Sequence, residues 1–292
     1  MSATVQLNVF SGRPNPTWLL NDEQARELLD RVHQVETKTP LKAAGSVGGL
    51  GYRGFTVASD AKSTIGETRL AVHAGVVDTG RTDLSLFDES REIESWLLET
   101  ATVQFDKGVR EHVTSMLAVP AQEALRDLTD RLIVLPPPSK CTPKAADAPA
   151  YNPGLWNIPT VQPYNNCYNY ANDQRTNTFA QPGRAHGKMY TKLTCASVQP
   201  AAQADGLVPT ASFSTKLAAG KGWYVALVIW PNTDYHWYRQ DANGCWSHKP
   251  GGTAARNVDN GGHTITDPKT ANRGPYTTFC SYMITNRHVV IK

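Results

Sequence analysis

The chain has 292 residues, 29 Lys and Arg against 26 Asp and Glu, a net charge of +3 and 40% hydrophobic residues. That length can bury a substantial core and suits two domains of roughly 100–200 residues each. So small a charge, on scattered Lys and Arg, excludes the electrostatic footprint of a nucleic-acid binder, and no apolar run approaches the roughly 20 residues that span a membrane.

The opening "MSATVQLNVFSGRPNP" has neither a basic n-region nor an apolar h-region and does not read as a signal peptide. The compartment stays open between the cytoplasm and export by a non-classical route. Val5–Phe10 alternates apolar and polar residues like a half-buried strand. After "SGRPNP" the pattern predicts a helix from Asn21, with Gln24 at the capping-box position and Leu28, Leu29 and Val32 on one face. "YRGFTVA" and "TRLAVHAGVV" read as strands. "DESREIESWLLETA", "DKGVREHVTSMLAV" and "PAQEALRDLTDRL" read as helices, the last with Pro120 suited to its first turn. Gly49, Gly51 and Gly54 spell GxGxxG, but a polar stretch precedes them and a strand follows. That context is a turn before a strand, not a dinucleotide site.

Composition then changes. Residues 1–150 carry 16 basic and 20 acidic residues (−4), residues 151–292 carry 13 and 6 (+7), and no Glu follows Glu123. Helix-favouring Glu gives way to Asn, Gly, Pro, Thr and aromatics. The expected organisation is an α+β domain over 1–134, a Pro-rich linker over 135–153, and a second α+β domain over 154–292. In the second domain a helix is expected around Cys167 and a short one over "SVQPAAQADG". "GWYVALVIW", Gly222–Trp230, has the continuous apolar character of a central strand covered on both faces. "DYHWYRQ" and "CWSHKP" around "DANG" form a hairpin, and "GPYTTFCSYMI" is a further strand.

All five cysteines, Cys141, Cys167, Cys195, Cys245 and Cys280, lie after residue 140. Four of them permit three pairings, an odd one is left over, and no CxxC spacing points to a zinc knuckle, so neither metal nor cofactor is expected. Cys167 has three readings: a nucleophile, half of a disulfide, or a small buried side chain. The first draws on Asn165 and Asn166, good N-cap residues that place the thiol in a helical first turn, where thiolates are stabilised. His236, at the start of the hairpin, is the candidate base, set against a hydrogen-bonded histidine among Tyr235, Trp237 and Tyr238. His248 lies directly across if "DANG" carries a bulge at Gly244; without it the pairing slips by one and His236 faces Lys249. Asn257, Asp259 and Asn260 compete with His248 as the orienting group. Gln162 and the Cys167 N–H are oxyanion candidates.

The order of a helix-borne cysteine, a strand-borne histidine and a polar residue on the next strand resembles papain-like cysteine peptidases, and among them the NlpC/P60 amidases. The resemblance covers residues 155 to 250. It implies a papain-like domain with a central antiparallel sheet, in which Cys167 attacks an amide carbonyl of a peptide-like substrate, His236 acts as base, His248 orients it and Gln162 serves the oxyanion. Tyr168 and Asn169 follow the cysteine where that family has small residues. On this reading the chain is a soluble thiol hydrolase of two domains. The reading from another class is a non-enzymatic binding or toxin-like protein with a disulfide-stapled, aromatic-rich C-terminal domain.

Overall fold

The computed structural model describes residues 3–39, 49–80, 84–132 and 141–292. The chain divides into two compact units, Met1–Val9 with Asn15–Leu132, and Phe10–Pro14 with Ile133–Lys292. Each combines helices with an antiparallel sheet, the α+β class expected. No helix among the described residues is long and apolar enough to cross a membrane.

The first unit runs β1 (Thr4–Leu7), β2 (Thr17–Leu19), α1 (Asp22–His33), β3 (Lys38–Thr39), β4 (Phe55–Ser59), β5 (Thr68–His73), β6 (Val76–Asp78), β7 (Ser85–Phe87), α2 (Glu92–Glu99), α3 (Lys107–Leu117) and α4 (Ala121–Leu132). Its seven strands form one sheet in the order β2-β1-β4-β5-β6-β7-β3. The Asn21–Gln24 capping box starts α1, which buries Ala25, Leu28 and Val32. "TRLAVHAGVV" forms two strands instead of one. Ala74 and Gly75 both take positive φ, and His73 pairs with Val76, the geometry of a tight hairpin. Gly54, at φ +81, ends the GxGxxG turn just before β4, and a Cβ there would meet the Val72 carbonyl at 2.0 Å. No helix follows that turn, as the rejection of a dinucleotide site requires.

Under this sheet lies a buried acid. Glu94, fully buried on α2, accepts hydrogen bonds from Tyr52 Oη (2.6 Å), Ala74 N, Gly75 N and the Arg91 guanidinium. Those donors hold its carboxyl below the usual range against the opposing effect of burial.

In the second unit come α5 (Cys167–Ala171), α6 (Cys195–Ala204), β8 (Val208–Thr210), β9 (Trp223–Trp230), β10 (Asp234–Gln240), β11 (Trp246–His248) and β12 (Thr278–Thr285). The sheet order is β11-β10-β9-β12-β8, antiparallel throughout. All eight residues of β9 are buried, as its sequence predicts. One face carries Trp223, Val225, Leu227 and Ile229 into a core with Cys167, Tyr168 and Val198. On the other, Tyr224 meets Phe213, which also contacts Trp246 and Tyr282.

Residues 141–153, read from composition as the end of a linker, belong to this unit; residues 135–140 lie outside the described residues. Cys141 is disulfide-bonded to Cys245, Ala145 bridges to Leu217, and Asp147 accepts the Gly222 N–H. Proline and alanine remove the helical and strand periodicities without preventing an extended segment from docking. The second disulfide joins Cys195, opening α6, to Cys280, which sits at a register shift in β12 between Phe279 and Ser281. A bulge there turns the side chain out of strict alternation.

His112 supplies a pH test of the first unit. Its Nε2 accepts the Tyr52 N–H, and burial, reinforced by Arg53, lowers its pKa from 6.5 to about 4. Above pH 6.5 the full stabilisation is present. As pH falls towards 4, the unfolded chain takes up a proton that the folded one refuses, so stability is lost, by about 3 kcal/mol in the limit. Denaturation followed at pH 7 and pH 4.5 should show that loss, and His112→Gln should reduce it.

Candidate functional site

The site is assembled in the second unit from α5, β10, β11 and the five-residue segment Phe10–Pro14. Asn166 is the N-cap of α5. Its Oδ1 accepts the Tyr168 and Asn169 N–H groups, while its Nδ2 donates to the carbonyls of Gly12 (2.7 Å) and Ala180 (2.8 Å). Cys167 therefore occupies the first helical position, as its sequence context predicts. Lys249, with no exposed surface, fixes the chain leading into α5 by donating from Nζ to the carbonyls of Gln162, Asn165 and Gly251 at 2.5–2.7 Å.

Neither expected hairpin register is observed. Tyr238 pairs with His248 and Gln240 with Trp246, so the five residues Asp241–Cys245 form the connection. It is closed by Asp241 N to the Cys245 carbonyl and Gly244 N to the Asp241 carbonyl. Gly244, at φ +87, sits where a Cβ would strike Thr142 at 2.2 Å. The docked Cys141 segment, which the sequence reading treated as a linker, thus fixes the turn. His236 and His248 become diagonal neighbours on one face, close enough for two rings to meet. His236 Nε2 lies 2.9 Å from His248 Nδ1.

Tautomers follow from the end of the chain of bonds. His248 Nε2 is 3.0 Å from the Val258 carbonyl, which can only accept, so that nitrogen carries the proton. In neutral His248, Nδ1 then accepts from His236 Nε2–H. His236 Nδ1 in turn accepts from the Ser11 hydroxyl, with which it makes a short contact. Ser11 and the Trp237 main chain lie beside the Cys167 thiol, and both favour its thiolate form. Ser11, His236 and His248 form one hydrogen-bonded chain beside Cys167. The exposures of Cys167, Ser11, His236 and His248 are 0, 0, 0 and 1%.

The sequence reading missed Ser11 and Asp234. Asp234 is fully buried at the start of β10 and accepts from the N–H groups of Ser11 (2.5 Å), Gly12 (3.1 Å) and Arg13 (3.2 Å) and from Tyr276 Oη (2.6 Å). Burial raises its pKa, and those donors pull the other way. The available signal was that Asp234 is the first residue of an aromatic strand, where an acid needs donors from elsewhere. Gln162 lies in a short turn with its carbonyl held by Lys249; no hydrogen bond joins its side chain to Cys167 or His236 among the described residues. Asp259 caps its own loop through Gly261 N, His263 N and Asn272 N. Cys195 is paired with Cys280 in a disulfide, and Cys167 is the free thiol.

Chemically the thiol is suppressed. Burial, reinforced by the Asp234 carboxylate, raises its pKa from 9.0 to about 12. That leaves roughly a thousandth of the usual thiolate at neutral pH. Accordingly, native protein at pH 8 without reductant should resist iodoacetamide, and denaturation should release one reactive thiol per chain, read by intact mass. Gly12→Val is a second probe. A Cβ on Gly12 would lie 2.5 Å from the buried ring of Tyr235, so the variant should lose about 2–4 kcal/mol in chemical denaturation.

No family model matches the chain, and no solved structure matches it. A curated relative, insoluble matrix shell protein 1 of Ruditapes philippinarum, is 49% identical over 133 residues, which are 46% of this chain and 87% of that protein. This overturns the designation of the chain as a soluble hydrolase of the cysteine-peptidase, papain-like or NlpC/P60-like kind, because the relative is named as a matrix protein and not as a hydrolase. The suppressed thiol gives the physical counterpart of that correction.

Proposed function

From membership of the family of insoluble matrix shell protein 1, to which this chain belongs, we propose that it is a non-catalytic constituent of an extracellular matrix, with the second unit as a stapled interaction module. The observation that carries this reading is the burial of Cys167 beside the hydrogen-bonded chain of Ser11, His236 and His248. Both His236 nitrogens are engaged, by Ser11 and by His248, His248 is engaged in turn by the Val258 carbonyl, and burial keeps the thiol protonated at physiological pH. A working nucleophile requires the opposite, a lowered pKa and access.

Two disulfides support an oxidising compartment, since such bonds persist outside the cytosol. The +7 charge of residues 151–292 favours acidic partners within a matrix. The papain-like order of Cys167, His236 and His248 describes a scaffold in this reading, without the chemistry.

Fractionation of the source tissue tests it. The chain should remain in the matrix after aqueous extraction and leave it only with denaturant plus reductant. Recombinant full chain should not turn over a peptide and amide panel. Recovery in the aqueous extract, or turnover that Cys167→Ala abolishes, would overturn the proposal.

A further inference from the structure

The segment Phe10–Pro14 is held in the second unit as a peptide is held in a binding site. The Gly12 carbonyl accepts three hydrogen bonds, from Asn166 Nδ2 (2.7 Å), Gln181 Nε2 (2.8 Å) and Tyr235 Oη (3.0 Å). Three successive main-chain N–H groups, those of Ser11, Gly12 and Arg13, converge on Asp234. The Ser11 hydroxyl is read by His236 Nδ1. The Tyr235 ring leaves no room for a Cβ on the middle residue, and the Phe10 carbonyl packs so closely on Gly251 that a Cβ there would approach it to 2.7 Å. This is a slot that reads main chain and selects a serine followed by a glycine. The groups that form it, Asn166, Gln181, Asp234, Tyr235 and His236, are all buried with the segment in place.

The occupant is internal to the chain, and the residues before and after it, Met1–Val9 and Asn15–Leu132, belong to the first unit. Each of these contacts joins the five residues to the rest of the second unit, and none depends on which copy supplies the five residues. We propose that the slot also takes the Phe10–Pro14 segment of a second copy of this chain, so that exchange of this segment links copies together. The same hydrogen bonds form in either arrangement, which is why exchange of an identical element is a low-cost route to association. Reciprocal exchange closes a dimer, while passing the segment on to a third copy gives an open chain, a physical route to an insoluble assembly. High local concentration favours the exchanged form, because the competing intramolecular event has a fixed effective concentration. This deepens the matrix reading and rests on it for the crowding that drives exchange.

The test uses full chains in complementary variants. Gly12→Val spoils the segment and leaves a slot; Gln181→Ala with Tyr235→Phe spoils the slot and leaves a segment. Each carries a different fluorophore and is incubated alone and mixed at high concentration, alongside wild type carrying both labels in separate pools. Exchange predicts mixed species for wild type and for the complementary pair, and none for either variant alone, read by size-exclusion chromatography with energy transfer. Should a variant fail to fold, wild type is decisive. A synthetic peptide of residues 8–16 should suppress mixing of the two wild-type pools, and the same peptide with Gly12→Val should not. Wild type that stays monomeric at every concentration, or mixing that neither peptide affects, would overturn the proposal. Failure here with the chain still retained in the insoluble tissue fraction leaves the matrix reading standing; recovery in the aqueous extract removes that reading while exchange is judged on its own readout.

Discussion

The organisation of the second unit depends on a buried carboxylate. Asp234 sits at the first position of β10 with no exposed surface, and an isolated ionised group there would be strongly destabilising. β11 pairs only with Tyr238–Gln240, so β10 itself provides no neighbouring strand for its first residues on that side. The donors come from a segment more than two hundred residues away, through three consecutive N–H groups and the Tyr276 hydroxyl. Satisfying the acid therefore requires an ordered peptide beside β10. Ordering that peptide brings Ser11 between the thiol and the imidazole, and the Gly12 carbonyl against Asn166 at the head of α5. One electrostatic requirement thus places the helix cap, the segment and the histidine pair together.

The same arrangement explains why the cysteine of a set that resembles a catalytic one stays protonated. A helix first turn and a nearby imidazole ordinarily lower a thiol pKa. Here the whole helix is only five residues long, the imidazole nitrogen facing the site is engaged by Ser11, and a carboxylate lies close by. Desolvation with a negative neighbour outweighs the interactions with Ser11, Trp237 and Lys249 that favour the thiolate. Lys249 is drawn away from the thiol by three carbonyls, so its charge serves the loop before α5.

Much of this was legible in the sequence, but unevenly. The cap of α1, the central strand β9, the hairpin and the position of Cys167 at a helix start were readable because each rests on local chemistry: a capping box, an unbroken apolar run, a turn, an asparagine. The register of the hairpin was not. Loop length alone left two pairings, and the observed third one depends on Gly244 packing against Thr142, a contact a hundred residues apart. Phe10–Pro14 was illegible for the same reason. In the sequence "SGRPNP" only separates an expected strand from an expected helix, and the tertiary structure alone shows its glycine pressed on Tyr235. Composition also misled at 141–153, since a proline-rich stretch looks like a tether even when a disulfide holds it down.

Long-range closure is the common element of these corrections. The disulfides span 104 and 85 residues, and loops of that length make each crosslink worth about 4–5 kcal/mol on a chain-entropy argument. Both act within the second unit, one fixing the turn of the hairpin through Cys245 and the other tying α6 to β12. The fifth cysteine cannot be crosslinked inside this framework, because the other four are paired and Cys167 lies in the core with Tyr168 and Trp237. Beside it lies Ser11, from distant sequence, held by hydrogen bonds to His236 and Asp234. Unlike a disulfide, that closure is reversible without redox chemistry. The framework holding the slot is covalently fixed, whereas the segment filling it is retained only by polar contacts. A module built this way keeps its binding geometry whether its own segment or an equivalent one is in place.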